Sequence, residues 1–459
     1  MLNEKLTIFT IGLILAIEGI DATSLNIAFT SISLSFHVSP LVVKIALTSY
    51  FLAEGLCIPL SGWVSQRYNL NHILIWSIIG FGISSLICAL SRNLNELVFF
   101  RLIQGCSASF AIPIGRLLIA KLFGGTKSSQ ITAVGSVMSI SLIGNAIGPI
   151  IGGVISDTVS WRWIFILNIP ICILCIYMIK KYIPPIIEKK FSSFDYIGYL
   201  VICCAIITFF IFFERTVYEV NFNFVSLWIF IAGNCFLLIY LFYAKLKNDS
   251  IFPLRIFSNR EFSIALFSNF TFRLIFGSVP FILSLVLQII YQLSLYKTGL
   301  LVATIPLGMV AMKKFIRFFV KRFEYKDLLI YNSVVVGLIT MFLAYLLSVF
   351  SIYFLVIILF IYGMAISLQY STMNVLGYTS ISKNFLSHAN ALINMARLLG
   401  TNFGIALAAI YIFNSDVNVN NFSLSSQTCI RAVTFMSIIA FSNAVIFIFL
   451  NRDLLTSTT

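Results

Sequence analysis

Apolar runs of about twenty residues recur along almost the whole of this chain, and that recurrence fixes lipid as its main solvent. At 1.5 Å per residue, about 20 residues cross a hydrocarbon core, and backbone groups in lipid must be satisfied within the segment, so each run is predicted to be a helix. Fourteen runs are read, near residues 6–29, 41–61, 72–90, 96–120, 130–155, 163–182, 196–213, 224–244, 262–289, 298–312, 328–348, 352–376, 389–413 and 428–450. An even count places both chain ends on one side. Composition agrees: 60% of the 459 residues are hydrophobic and 10% are charged, more apolar side chain than a water-facing surface tolerates. The first run holds Glu18 and Asp21 and lacks a small-residue cleavage site, so it reads as a first span and not as a removed leader.

The net charge of +14 raises a nucleic-acid partner, but Lys and Arg sit mostly in short gaps between apolar runs and form no aromatic-interleaved groove. Their placement fits a membrane instead. With the N-terminus taken as cytoplasmic, that side receives Lys5, Arg67, Lys121, Lys127, the pairs Lys180–Lys181 and Lys189–Lys190, Lys245, Lys247, Arg255, Arg260, the cluster from Lys313 to Lys326, Lys383 and Arg452. The other side receives Lys44, Arg92, Arg162, Arg215, Lys297 and Arg431. This bias puts both termini inside. The connections after spans two and ten are both basic and both follow a Pro-containing helix (Pro59, Pro306), which suggests an internal repeat. The predicted organisation is a six-helix bundle over 1–190, an inserted helix pair over 191–250 and a second six-helix bundle over 251–459. Cys172 and Cys175 form a Cys-x-x-Cys inside an apolar run with no second ligand pair, so neither a metal nor a cofactor is expected.

Several motifs fall in a recognisable order. Asp21-Ala22-Thr23-Ser24-Leu25-Asn26-Ile27-Ala28 lies in the first span, and Arg101-Leu102-Ile103-Gln104-Gly105 opens the fourth. Gly144, Gly148-Pro149 and Gly152-Gly153 end the fifth, and Trp161-Arg162-Trp163 followed by Asn168-Ile169-Pro170 opens the sixth. Pro113-Ile114-Gly115-Arg116, Arg273, Val279-Pro280-Phe281 and Leu287-Gln288 complete the set. Nearly the whole chain resembles the major facilitator superfamily, its fourteen-helix drug:proton antiporter branch and, within that, the MdtD-type multidrug transporters. The resemblance implies an all-α integral membrane protein with the major facilitator fold, two six-helix bundles and two extra helices between them. It also implies proton-coupled export of amphipathic small molecules across a bacterial inner membrane, with accessory efflux subunits as further partners. The loop after span two departs from the family pattern. Gly62 and Arg67 remain at gating positions, but Gln66 stands where the family carries an acid that latches the halves on the cytoplasmic side, so the latch here lacks that charge.

Ionisable side chains inside a span cost several kcal/mol unless paired or hydrated, so each marks a candidate site. Asp21 and Arg101 fall at similar depth from the outer side. Burial favours a protonated acid and a neighbouring arginine an ionised one, so movement of Arg101 relative to Asp21 can switch proton loading. The alternative is a static ion pair between spans one and four. Glu18 lies three residues before Asp21, on nearly the same helix face, and is a second proton-site candidate. Glu54 and Arg116 can pair across a cavity, although Arg116 can equally snorkel to the headgroups. Arg273 and Arg397 lie too deep for easy snorkelling and are assigned with Gln104 and Gln288 to substrate binding, against interhelical hydrogen bonding for the two glutamines. The surplus of buried arginines leaves a second reading, export of a small organic anion or metal-chelating metabolite. Gly144, Gly148, Pro149, Gly152 and Gly153 suit a hinge or tight seal, against simple packing.

No Gly-x-x-x-x-Gly-Lys element or soluble domain offers a route to ATP, so an ion gradient is the expected energy source. A channel filter, a charged ring and a catalytic His or Ser motif are likewise not seen in the sequence. A non-transporting receptor or assembly subunit is the remaining alternative, separated from a transporter by whether the reconstituted protein moves solute.

Overall fold

The protein is described by a computed structural model covering residues 2–123, 127–186, 194–216, 224–247, 250–349, 351–379, 381, 385–416 and 425–450. Lys189, Lys190, Lys383 and Arg452, which enter the orientation argument, lie outside the described residues, as does the connection Tyr218–Asn223. Among the described residues, fourteen helices are long and apolar enough to cross a membrane, each overlapping a predicted run, and no strand occurs.

Polar residues in the short connections start many of these helices. Ser39 accepts from the Leu41 N–H ahead of α3 (Pro40–Ser65), with Pro40 pre-set for the first helical position. Asn69 caps α4 (Leu70–Ala89), Asn93 caps α5 (Leu94–Ala108) and Asn259 caps α11 (Arg260–Leu285) in the same way. Two spans are less regular than the apolar pattern suggests. The first, α1 (Leu2–Ile27), is followed after Ala28 by α2 (Phe29–Phe36), which ends at His37 with φ 54° and ψ 43°. The fourth is broken at Ser109–Phe110 into α5 and α6 (Ala111–Leu122). Pro113 has no N–H for the Ser109 carbonyl and its ring crowds that carbonyl, which explains the break.

The chain divides into two compact units. The first comprises residues 1–193 and 291–307. It contains α1 to α6, α7 (Lys127–Thr158), α8 (Arg162–Tyr182) and the first part of α12 (Leu295–Met312). Its apolar core runs from Ile11, Ile14 and Leu15 through Leu74, Phe81 and Leu118 to Val137, Cys175 and Ile179. The second comprises residues 194–290 and 308–459. It contains α9 (Tyr196–Thr216), α10 (Phe224–Leu246), α11, the end of α12, α13 (Ile316–Arg322), α14 (Tyr325–Val349), α15 (Ile352–Thr379), α16 (Leu386–Asp416) and α17 (Ser426–Ile448).

The two units repeat one packing pattern. In the first, span one packs on span five (α1 on α7) and span three on span six (α4 on α8). In the second, the equivalent pairs are α11 on α16 and α14 on α17. Glycines make both of the longer seams close. A methyl group added at Gly152 would meet Ser24 Cα and O at 2.6 Å, and one at Gly400 would meet Phe270 O at 2.5 Å. Helices in lipid gain little from the hydrophobic effect on meeting, so such backbone approach supplies the dispersion contact that holds them.

Just before α9, Asp195 gathers four donors: Tyr243 Oη at 2.6 Å, Lys247 Nζ at 2.8 Å, and the N–H groups of Ile251 (3.0 Å) and Gly198 (3.2 Å). This fastens the start of α9 to the end of α10 and to the segment leading into α11. Tyr240 Oη accepts from the Phe252 N–H at 3.0 Å and adds a second tie.

Candidate functional site

Two enclosed charges of the first unit, Asp21 and Arg101, meet in one cluster. Asp21 on α1 and Arg101 on α5 are both fully buried and form an ion pair through Asp21 Oδ2 and Arg101 Nη1. Asp21 Oδ1 accepts from Asn168 Nδ2 of α8 at 2.8 Å and from Gln104 Nε2 of α5 at 3.3 Å. Gln104 Oε1 accepts from Arg101 Nη1 at 2.7 Å, and Gln104 Nε2 also donates to Ser85 Oγ of α4 at 2.7 Å. Arg101 Nε donates to the Ala46 carbonyl of α3 at 3.1 Å, and its guanidinium lies 4.2 Å from the Tyr50 ring centre.

Local sequence explains the assembly. Arg101 and Gln104 are three apart on α5 and so share a face. Gly105 lets that face approach the Tyr50 carbonyl of α3. Ser24, one turn beyond Asp21, donates to the Gly148 carbonyl at 2.7 Å and locks α1 on the α7 seam. Chemically the cluster is a carboxylate whose negative charge is met by one cation and two amides. A proton arriving at Asp21 would remove the charge that holds Arg101, while Arg101 leaving would strand a buried carboxylate, so protonation and arginine position are linked.

The other expected residues are distributed as follows. Glu18 is partly exposed and borders an apolar cavity of about 10 Å³ lined also by Ile14, Phe81 and Cys172, barely the room one water needs. Glu54 is buried in α3, and Arg116 is partly exposed on α6. Gln104, expected to orient a substrate, is enclosed in the Asp21 cluster. Gln288 lies in the π-helical turn Val286–Ile290 that follows α11. Arg273 on α11 lies with its guanidinium 4.0 Å from the Tyr370 ring centre and 4.9 Å from that of Phe276. Its Nε makes no hydrogen bond, and no carboxylate among the described residues pairs with it. Tyr370 is within electrostatic reach of both Arg273 and Arg397.

At the positions expected to gate, Arg67 stacks on Trp63 at 4.4 Å, Gln66 closes α3, and a side chain added at Gly62 would meet open space. Gly144 approaches Ala16, Gly148 approaches Ile20, and Gly153 lies against the backbone of Leu295 and Tyr296 at the start of α12. Asp157 caps that helix end, accepting from the N–H groups of Leu295 (3.2 Å) and Tyr296 (2.7 Å). Sequence reasoning assigned no role to Asn168, Ser85, Tyr50 or Asp157. Asn168 stood inside a quoted motif, and its amide among apolar neighbours was the available signal.

A many-helix membrane protein built on a repeated packing pattern, with ionisable side chains enclosed inside its spans, belongs to the transporters and not to the enzymes. The chain is a member of the Major Facilitator Superfamily, whose family model matches residues 11–405. It is similar to a Salmonella typhimurium protein named for multidrug resistance, MdtD, at 29% identity over 413 residues, covering 89% of this chain and 87% of the relative. The MdtD protein of Escherichia coli O6:H1 is 29% identical over 396 residues, covering 86% and 83%. Among solved structures, a D-xylose-proton symporter superposes with a TM-score of 0.69 at 14% identity, covering 98% of both chains. The human organic anion transporter MFSD10 gives 0.63 at 13% identity, covering 97% of this chain and 99% of that one. At such identities the two structures speak for the fold alone.

Proposed function

We propose that this transporter exports amphipathic small molecules in exchange for protons, by alternating access, across a bacterial inner membrane with both termini cytoplasmic. The carrying observation is the enclosed Asp21–Arg101 pair with its amide partners Gln104 and Asn168. A titratable acid held this way can couple a proton to a helix movement, because its ionised form needs the arginine and its protonated form does not. In this reading Asp21, Arg101 and Glu18 couple the proton, while Glu54, Gln104, Arg116, Arg273, Gln288 and Arg397 contact substrate. Gly62, Arg67 and the Gly144–Gly153 stretch gate the path. The bundles 1–190 and 251–459 act as the moving halves, with 191–250 inserted and accessory efflux subunits as further partners. The names of the MdtD relatives support the drug substrate class.

The test is Asp21→Asn, which keeps the side chain's shape but cannot titrate. Uphill transport in proteoliposomes with an imposed pH gradient should collapse while substrate binding in detergent largely persists. Uphill transport by Asp21→Asn at wild-type abundance would transfer the proton role to Glu18 or Glu54.

A second reading, export of a small organic anion, is favoured by Arg273, a cation with no acid partner among the described residues and an Nε that lacks a hydrogen bond. An anionic substrate would supply the missing charge. Growth protection of an exporter-deficient host, screened with cationic drugs and with organic acids, separates the two: protection only against acids overturns the drug reading.

A further inference from the structure

Cys57 on α3 and Cys106 on α5 hold their sulfur atoms 3.4 Å apart, across two different membrane helices. Cys57 is partly exposed and Cys106 is exposed, whereas Cys88, Cys172, Cys175 and Cys429 are buried. The contact follows from the helix approach already described. α3 and α5 touch at Ala46 and Arg101, then at Tyr50 and Gly105, where the missing side chain brings the backbones together, and the two thiols lie next along the same line. A disulfide needs sulfur atoms about 2.0 Å apart, so closure asks for a movement of about 1.4 Å, within the reach of side-chain rotation and slight helix adjustment. No group of three or more metal-ligating side chains forms among the described residues, which favours two-thiol redox chemistry over chelation.

We propose that Cys57 and Cys106 are a redox modification site: a peroxide-class oxidant joins them reversibly, stapling α3 to α5. The exposed Cys106 sulfur, as thiolate, attacks one peroxide oxygen; the O–O bond breaks to give a sulfenic acid and a hydroxide, which takes up the proton the thiol had shed and leaves as water. The Cys57 sulfur then attacks the sulfenic sulfur, the S–O bond breaks, and a second water carries off the remaining thiol proton. Two thiols and one hydrogen peroxide give one disulfide and two waters, with sulfur oxidised and peroxide reduced. Hydrogen peroxide is small and uncharged and can enter an apolar phase. The staple sits five residues beyond Arg101 and two beyond Gln104 on α5. It therefore restrains the helix whose movement the proposed coupling requires, and this consequence rests on that reading.

The experiment uses the full-length protein in everted vesicles and in detergent. After hydrogen peroxide, remaining thiols are blocked with N-ethylmaleimide and the digest is searched for a linked Cys57–Cys106 peptide. Hydrogen–deuterium exchange of the peptides from α5 and the movement of ethidium are followed before oxidation, after it, and after dithiothreitol. The expected result is the linked peptide, with α5 exchange and ethidium movement slowed about tenfold, restored by the reductant and absent in Cys57→Ser and in Cys106→Ala. The proposal is overturned by full alkylation of both thiols with no linked peptide, by a linked peptide that leaves α5 exchange unchanged, or by equal slowing in the single-cysteine variants. If the reduced protein moves no ethidium, that counts against the proposed drug export alone, because the linked peptide and the exchange rates still decide the thiol pair.

Discussion

Asp21 receives hydrogen bonds from Arg101, Asn168 and Gln104, and these are unequal. Asn168 lies at 2.8 Å and Gln104 at 3.3 Å, with Gln104 divided among four partners. Asn168→Ala therefore takes the shorter amide from Oδ1 and leaves the carboxylate under-supplied, at a cost of about 1–3 kcal/mol to the ionised state. Uphill transport with an imposed pH gradient should weaken, and the thermal midpoint should fall with the lost hydrogen bond. Undiminished uphill transport at a lowered midpoint would make Asn168 a packing residue. The charges themselves were legible in the sequence because an acid and an arginine inside apolar runs have few explanations. Gln104 was read as a substrate contact and Asn168 as part of a motif, since an amide's partner depends on which helices meet. Arg273 was legible as a deep cation, but its contact with the Tyr370 ring depends on α15 lying beside α11.

Helix seams turn single glycines into structural requirements. At Gly152 a methyl group would collide with the Ser24 backbone, which has no rotamer to escape into, whereas at Gly62 it would meet nothing. Gly152→Ala should cost about 1–3 kcal/mol and lower the thermal midpoint in detergent, while Gly62→Ala should leave the midpoint where it is. Transport by Gly62→Ala then tests the proposed gating role without a stability artefact. Equal midpoints for the two variants would refute the seam argument. The glycine pattern was visible in the sequence; its partner helix was not. The breaks at Ala28 and at Ser109–Phe110 were also hidden, because an apolar run looks the same whether its helix is continuous or interrupted.

The Asp195 tie makes a pH prediction at the same scale. Burial pushes its carboxyl up, but the hydrogen bonds from Lys247, Tyr243, Ile251 and Gly198 outweigh burial and hold it below the usual range. A carboxyl lowered in the native state gives stability that is complete above the unfolded value, near 3.8, and is lost as pH falls through the lower native one. At neutral pH the tie is thus fully made. Asp195→Asn should weaken it by about 1–3 kcal/mol, mostly through the buried N–H partners, because Lys247 is 42% exposed and its charge is screened. The thermal midpoint should fall at pH 7, and the acid-side loss seen in the parent should shrink. Sequence reading missed this group because Asp195 stands outside the apolar runs and three of its four partners, Tyr243, Lys247 and Ile251, lie some fifty residues on.

For the molecule as a whole, the fourteen spans and the repeat were legible because hydropathy length and basic bias survive without knowledge of packing. How α12 is shared was not, since chain order suggests a clean division near the inserted pair while residues 291–307 group with the first unit. Orientation has a direct check. A reporter fused at Lys189 should be cytoplasmic and one at Tyr218 external, because α9 alone separates the two positions. Both reporters on one side would remove the fourteen-span topology.

The sharing of α12 also has a consequence for how the protein is made. Gly153 lies against Leu295 and Tyr296, and Gly299 against Pro149, in a seam whose two sides are about 140 residues apart in the chain. At ribosomal speeds of about 5–20 residues per second, the glycine face of α7 reaches the membrane roughly 7–28 seconds before the start of α12 exists. During that interval the backbone there is bare of its native neighbour, and nascent α7 must be covered by lipid, by the insertion machinery or by a helix that later gives way. Assembly of the first unit therefore cannot finish when its eighth helix is inserted; it waits for a piece of chain that translation delivers late.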